Sequence, residues 1–246
     1  MDEEIEATLR SLRSRSLSGI FAENSEDARN RILDLIPEDA TVGVGDSTTV
    51  AQVRVKEELK KRGTTVLDGF DRKTAYNSKD WELHNKLVQE STMCDVFLTG
   101  ANAVTQDGRL VNVDAAGNRV AGMFWGHPVT IIVVGRNKIV ENLDEAFHRI
   151  RKIIAPNHIR IRAVELGGRR VDTPCVATGE CGDCKVSDRM CNVFTIIEGK
   201  PRRTDIKVII VNEDLGLSWD ESWPRERIVN IIENYKRFVW IPPPIL

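Results

Sequence analysis

The chain has 246 residues, with 35 basic against 37 acidic side chains, a net charge of −2 and 41% apolar residues. That length suits one large α/β domain or two small ones, and the near-balance of charge excludes intrinsic disorder and argues against nucleic acid or an anionic membrane as partner. No apolar run nears the ~20 residues that span a bilayer, and the acidic start MDEEIEATLR lacks the apolar core of a secretory signal, so a cytoplasmic protein is expected.

Residues 1–37 read as a helical extension. Ile5, Leu9 and Leu12 share one helical face, with Leu17, Ile20 and Phe21 as its continuation. Asn24 is the expected cap of a second helix through Leu35, and Pro37 follows its end. From Thr41 onward, apolar runs alternate with helical stretches. TVGV, TTVLD, CDVFLTG and VTIIVVG read as buried strands, with helices expected at 48–62 and 80–92. Asn142 caps a further helix, whose apolar stripe runs through Leu143, Ala146, Phe147, Ile150, Ile153 and Ile154, and Pro156 is expected to stop it. A strand at 207–216, a helix near 224–236 and an extended tail, FVWIPPPIL, complete the chain. The alternation predicts a Rossmann-like, mostly parallel sheet covered on both faces, spanning 38–246. The tail is expected to lie against the core or a neighbouring subunit.

Two strand ends carry unusual polar residues. After TVGV comes Gly43-Val44-Gly45-Asp46-Ser47-Thr48-Thr49, a small-residue turn into a helix. Its backbone N–H groups and hydroxyls could hold an anion, or could simply cap the helix. After CDVFLTG come Asn102, Asp107, Asp114, Asn118 and Arg119, following Gly100. If the two strands are neighbours, both groups converge on one crevice at the C-terminal strand edge. Asp107-Gly108 also has the composition of a hairpin turn. Lys138, at a third strand end, could neutralise an anionic ligand.

Residues 157–192 break the alternation and hold Cys175, Cys181, Cys184 and Cys191 in a C-x5-C-x2-C-x6-C pattern. In a reducing compartment such a cluster points to a metal rather than to disulfides. Gly179 and Gly182 let the loop wrap, and Arg169, Arg170, Lys185 and Arg189 offset thiolate charge. Cys94 reads as a buried core thiol.

Several of these stretches resemble known proteins. VGVGDSTTV is similar to the phosphate-binding turn of ribose-5-phosphate isomerase. DVFLTGANAVTQDGRLVNVDAAGN is similar to the GAD segments of that enzyme and of methylthioribose-phosphate isomerase. The block from TGANAVTQDGRLVNVDAAGNRVA through GRNKIV, the cysteine motif and VNEDLG, within about residues 10–235, resembles the lactate-utilisation (LUD domain) family. The resemblance implies a ribose-5-phosphate isomerase/glucosamine-6-phosphate deaminase/CoA transferase-like fold and a link to oxidation of lactate or other 2-hydroxy acids, beside iron–sulfur redox subunits. The departures limit what carries over. Asn102 stands where the isomerases have an acid, their Lys-Gly-Gly-Gly stretch is missing, and no glutamate occupies the setting that CoA transferases use.

The expectation is therefore a crevice that binds a small anionic metabolite, such as a carboxylate, a phosphate or a CoA ester. Beside it is expected a four-cysteine site holding a [4Fe–4S] cluster, with zinc as the alternative, since one CxxC is half of the usual zinc knuckle pair. No catalytic residue is assigned. The alternative function is a non-catalytic iron–sulfur or zinc-stapled module for electron transfer or subunit docking, and a homo-oligomer is compatible with either.

Overall fold

A computed structural model describes residues 2–71, 78–167 and 171–242. The chain order is α1 (Glu3–Ser14), β1 (Ser18–Ala22), α2 (Ser25–Leu35), β2 (Thr41–Val44), α3 (Thr48–Val53), α4 (Val55–Lys61), β3 (Thr65–Leu67), α5 (Ser78–Glu90) and β4 (Val96–Gly100). The hairpin β5 (Ala103–Thr105) and β6 (Leu110–Asp114) follows, then α6 (Asn118–Phe124), β7 (Val129–Gly135) and β8 (Ile139–Val140). A composite helix comes next: α7 (Leu143–His148), a π-turn segment Arg149–Ile154, α8 (Ala155–Arg160) and a second π segment Ile161–Glu165. The chain closes with α9 (Cys175–Thr178), β9 (Val193–Ile197), β10 (Asp205–Val211) and α10 (Arg225–Phe238).

Six strands form a wholly parallel sheet in the order β1-β10-β7-β4-β2-β3. Its central strands are apolar on both sides because both faces are covered. Val42, Leu98, Ile131 and Ile209 meet Ile32, Val50 and Leu59 on one face; Ile132, Val208 and Ile210 meet Ile5, Leu9 and Leu12 on the other. From β2 the chain moves outward to β3, and from β4 onward it moves the opposite way. The order therefore reverses between β2 and β4, and a crevice opens there at the strand C-termini. A second sheet, β8-β5-β6-β9, is mixed and packs under α7.

The doubly covered parallel sheet is the expected architecture, with two corrections. The first 37 residues are not only helical: Ser16 turns left-handed (φ 61°) and ends the helix, and Ser18–Ala22 pairs with β10 as the sheet's edge strand. Leu17, Ile20 and Phe21 fit a helical face on paper, but the ladder offered by β10 decides their conformation. The expected boundary at residue 37 thus has a strand of the main sheet on its N-terminal side. Second, Pro156 does not stop the helix, which continues to Glu165, so the cysteine excursion starts after the helix rather than at 157. Proline lacks an N–H to give and clashes with the preceding turn; widening that turn to π geometry over Arg149–Ile154 accommodates it.

The caps at Asn24 and Asn142 are as expected, each accepting backbone N–H bonds of its helix. Cys94 is buried, and its thiol donates to the carbonyls of Ser91 and Val96. Of the tail, Val239 and Trp240 are buried against the core, and residues 243–246 lie outside the described set. Among the described residues no helix is long and apolar enough to cross a membrane.

Candidate functional site

The crevice has a volume of about 600 Å³. Asp46, Ser47, Thr48 and Thr49 from the β2–α3 turn line it with Gly100 and Asn102 from the end of β4, Asp114, Asn118 and Arg119 from β6–α6, and Lys138 from the end of β7. The two polar groups read from the sequence therefore share one site. Three expected residues are placed differently. Asp107 sits at the β5–β6 hairpin turn, where it accepts from Thr105, Arg109 and Arg15, outside the crevice lining. Gly43 and Gly45 do not line the crevice either. A Cβ at Gly43 would stand 1.9 Å from the Ser91 carbonyl oxygen, and one at Gly45 only 2.8 Å from Thr99 Oγ1. Those glycines serve close packing.

The hydroxyl of Ser47 is occupied in capping, accepting from the Val50 N–H at 3.3 Å. The helix it caps has six residues and breaks at the left-handed Arg54 (φ 60°), so its dipole contributes little. Arg119 is in the crevice wall as expected, yet its fork is not free. Nε donates to Asp114 Oδ1; Nη1 donates to the Gly100 carbonyl and Asn112 Oδ1; Nη2 donates to Asn102 Oδ1 and the Val113 carbonyl. All five guanidinium N–H groups are thus engaged. Asp114 in turn accepts the backbone N–H groups of Arg119 and Val120, capping α6. These residues build the site and leave little for a ligand.

Lys138 is different. It is buried, and Nζ donates to Thr49 Oγ1 at 2.9 Å and to the Ala101 carbonyl at 2.8 Å, both uncharged. Among the described residues no carboxylate lies within ion-pair distance. Burial, helped by the Arg119 cation, brings its pKa down from the ordinary 10.5 to about 7. The site thus holds a buried lysine whose partners among the described residues are both neutral.

Beside Thr48 the crevice is lined by a network that the sequence did not reveal. Arg162 Nη1 donates to His158 Nε2 (2.8 Å), His158 Nδ1 meets Tyr235 Oη (2.5 Å), and Tyr235 stands against the Thr48 side chain. Arg162 also lies 3.7 Å from Asp46 and over the ring of Trp240, and its Nε has no partner among the described residues. Burial, reinforced by Arg162 and Arg119, holds His158 well below its usual range, and burial raises Tyr235. Burial likewise raises Asp46, against the pull of Arg162 and Arg119. His158 and Arg162 are four residues apart and so share a helical face, a signal visible only once the helix is carried through Pro156. Beyond them, His84 stacks between Trp81 and Trp240 at the far end.

The cysteine excursion forms the remaining wall, with Arg189, Met190, Cys191 and Asn192 lining the crevice. Asn192 is tied to the end of β6 through the Asp114 and Ala115 carbonyls. None of the four cysteines forms a disulfide. Burial and the charge of the other three thiols push Cys191 up to about 11, with Arg189 pulling the other way, so the four thiols share one neighbourhood. The donor set suits a thiophilic metal. Even so, among the described residues no three His, Cys, Asp or Glu side chains stand in a metal-holding arrangement. Arg189 also donates to the Cys184 and Cys191 carbonyls, whereas Arg169 and Arg170 lie outside the described residues.

The sequence matches the LUD domain over residues 5–211. The chain belongs to the LUD-domain family. No curated protein sequence matches it. Among solved structures it is similar to a DUF162 family protein from Deinococcus radiodurans, with 14% identity over 85% of this chain and 96% of that one, TM-score 0.46. It is also similar to ribose 5 phosphate isomerase A from Neisseria gonorrhoeae, with 16% identity over 58% of this chain and 66% of that one, TM-score 0.32.

Proposed function

We propose that this LUD-domain protein binds a small monocarboxylate in the crevice and holds a metal, a [4Fe–4S] cluster in the first instance, at Cys175, Cys181, Cys184 and Cys191. The observation that carries the reading is Lys138, a buried cation whose two partners are neutral. Burying a lysine in this way is costly unless a counter-ion arrives. Charge counting narrows the ligand class. Arg119 faces Asp114, Arg162 faces Asp46 and Arg189 faces Asp183, which leaves Lys138 as the crevice cation bonded, among the described residues, to neutral groups alone. One negative charge balances it, favouring a carboxylate over a phosphate dianion or a CoA ester.

The cysteine wall borders the same crevice, which supports a joint role in oxidation of a 2-hydroxy acid, the chemistry implied by resemblance to the lactate-utilisation family. A cluster bound there would supply one-electron transfer, whereas zinc would supply only a staple. Lys138 would hold the carboxylate, and the Arg119 clamp would keep the β4 and β6 ends in register around it.

The test has two arms. Protein purified without oxygen should carry about four irons and four sulfides per chain; one zinc would leave only the staple, and neither metal would overturn the metal site. Propionate should raise the melting temperature of the wild type and not that of Lys138→Met. Equal stabilisation of both proteins would overturn the carboxylate site.

A further inference from the structure

We propose that the N-terminal edge of the main sheet, across the strands from the crevice, is a docking surface for an acidic segment of a partner protein. Trp125 and Met93 are its apolar anchors, and Arg202 and Arg203 supply its charge. The proposal goes beyond the crevice and is independent of what binds there.

The strand order brings three loops together. In a parallel sheet all strands start at the same edge, and β10, β7 and β4 are consecutive neighbours. The segments leading into them, 198–204, 124–128 and 91–95, therefore stand side by side. Local bonds fix them there. The Thr204 hydroxyl is held between the Phe124 and His127 carbonyls, at 3.1 and 3.0 Å, and the Asp205 N–H donates to the Pro128 carbonyl at 2.7 Å. Gly126 (φ 104°) lets the middle loop press on the loop before β4, since a Cβ there would stand 2.2 Å from the Thr92 carbonyl oxygen. His127 is buried behind them, bonded to Thr130 and stacked on Phe97.

On this fixed frame Met93 is 75% and Trp125 64% exposed, more than any other large apolar side chain among the described residues. Met93 Sδ would lie 3.7 Å from a Cβ on Gly126, the residue after Trp125, so the two anchors adjoin. Trp, Met and Arg are the residue types enriched where proteins meet, and Trp and Arg carry most of the binding energy there. The charges on the rim choose the partner. Asp205 pairs with Lys200 and Lys207, Glu198 pairs with Arg109, and Asp95 accepts from Thr41. Arg202 and Arg203 are exposed and have no ion pair or hydrogen bond among the described residues. The acids of the rim are already engaged, so the complement to these two arginines comes from carboxylates on the partner. A second copy docked about a two-fold axis would instead set each arginine pair against its own like, which disfavours a homodimer here. Two arginines on a chain of net charge −2 are also too few for nucleic acid.

The experiment puts the photo-crosslinker p-benzoylphenylalanine in place of Trp125 in the full chain, expressed in its own host, and sequences whatever light attaches to it. The expected product is a protein segment with several Asp or Glu residues around an apolar one. It should be lost when Arg202→Glu and Arg203→Glu are combined. A synthetic peptide of that segment should bind the wild type, bind more weakly as salt rises, and bind Trp125→Ser about thirtyfold more weakly. The melting temperatures of these variants should match the wild type, because the altered side chains are exposed. Attachment to a second copy, to lipid or to nucleic acid, a segment without acidic residues, a product that survives the charge reversal, or no product at all would overturn the inference. Should the reversed variant fail to fold, Arg202→Gln with Arg203→Gln takes its place, with the same loss expected.

Discussion

Arg119 and the cysteine excursion both border the crevice, the excursion through Arg189, Met190, Cys191 and Asn192, and the chain secures them by contrasting means. Arg119 has an acceptor for each of its N–H groups, supplied by Gly100 at the end of β4, by Asn102 after it, and by Asn112, Val113 and Asp114 of β6. The cysteine excursion has one four-residue helix, half-exposed thiols and a handful of bonds, centred on Arg189 and Asn192. A wall built on strand ends is specified by the fold itself. A wall built on a loop needs something bound to it, and the contrast predicts what each loses on perturbation.

The largest effect is expected at the loop. Binding of a metal to four thiolates in a small domain is worth on the order of 10 kcal/mol at neutral pH, and here most of it would go into ordering the excursion. Replacing Cys181 and Cys184 together by serine should abolish metal content and open 171–192 to protease, while the circular dichroism of the sheet stays unchanged. A variant as resistant as the wild type would show that Arg189 and Asn192 suffice, and would remove the contrast.

Arg119→Lys comes next. Lysine keeps the charge but offers three donors where five acceptors are waiting, and it cannot reproduce the planar fork. Stripping bonds from the buried oxygens of Asn102, Asn112 and Asp114 should cost about 3 kcal/mol in chemical denaturation. A loss below about 1 kcal/mol would mean that the wall tolerates rearrangement and is no better specified than the loop.

The sequence showed these walls unequally. The order TVGV, CDVFLTG and VTIIVVG, with glycine-rich ends, was enough to place the β2 and β4 edges side by side, because buried parallel strands are continuous apolar runs. It was enough to put Asp46, Thr49, Asn102, Asp114, Arg119 and Lys138 in one crevice. It could not tell which of them were already satisfied, since hydrogen-bond saturation is a tertiary property: Arg119 reads as a ligand fork and is a clamp. Asp107 was drawn to the crevice by proximity in sequence, whereas a two-sided hairpin carries it away. His158 and Arg162 were hidden by a correct local rule, that proline ends helices, which the π-turn before Pro156 overrides, whereas Tyr235 sits on the expected helix near 224–236 and meets them only through tertiary packing.

Lys138→Met should act with the opposite sign. At neutral pH the wild type bears the strain of an unpaired buried cation, so the variant should be more stable by roughly 2 kcal/mol after the loss of the Thr49 and Ala101 bonds is deducted. The pH dependence separates this from a packing effect. Below about pH 7 the lysine is protonated whether the chain is folded or not, so the penalty is constant; between about 7 and 10.5 only the unfolded chain holds the proton. Wild-type stability should therefore climb with pH over that window relative to the variant, and the two curves should cross within it, the wild type ending the more stable because its Thr49 and Ala101 bonds remain. Carboxylate binding should follow the same group, flat below pH 7 and weakening above it, with uptake of a proton. A constant difference between the curves at all pH values would mean that Lys138 is not the strained cation.

The smallest effect distinguishes the cap from the cradle within a single turn. Ser47 caps the six-residue α3 through a 3.3 Å bond to the Val50 N–H, and its hydroxyl lies where a Cβ on Gly100 would meet it at 2.6 Å. Thr48 and Thr49, next in the chain, instead meet Tyr235 and Lys138. Ser47→Ala should cost about 1 kcal/mol, the usual loss of a hydroxyl cap, and leave the affinity for propionate unchanged. Removing the Ser47 and Thr48 hydroxyls together should add a loss of ligand-induced stabilisation, all of it traceable to Thr48. If Ser47→Ala weakened propionate binding as much as Lys138→Met does, the turn itself would be the anion cradle. The buried lysine would then be a bystander to it.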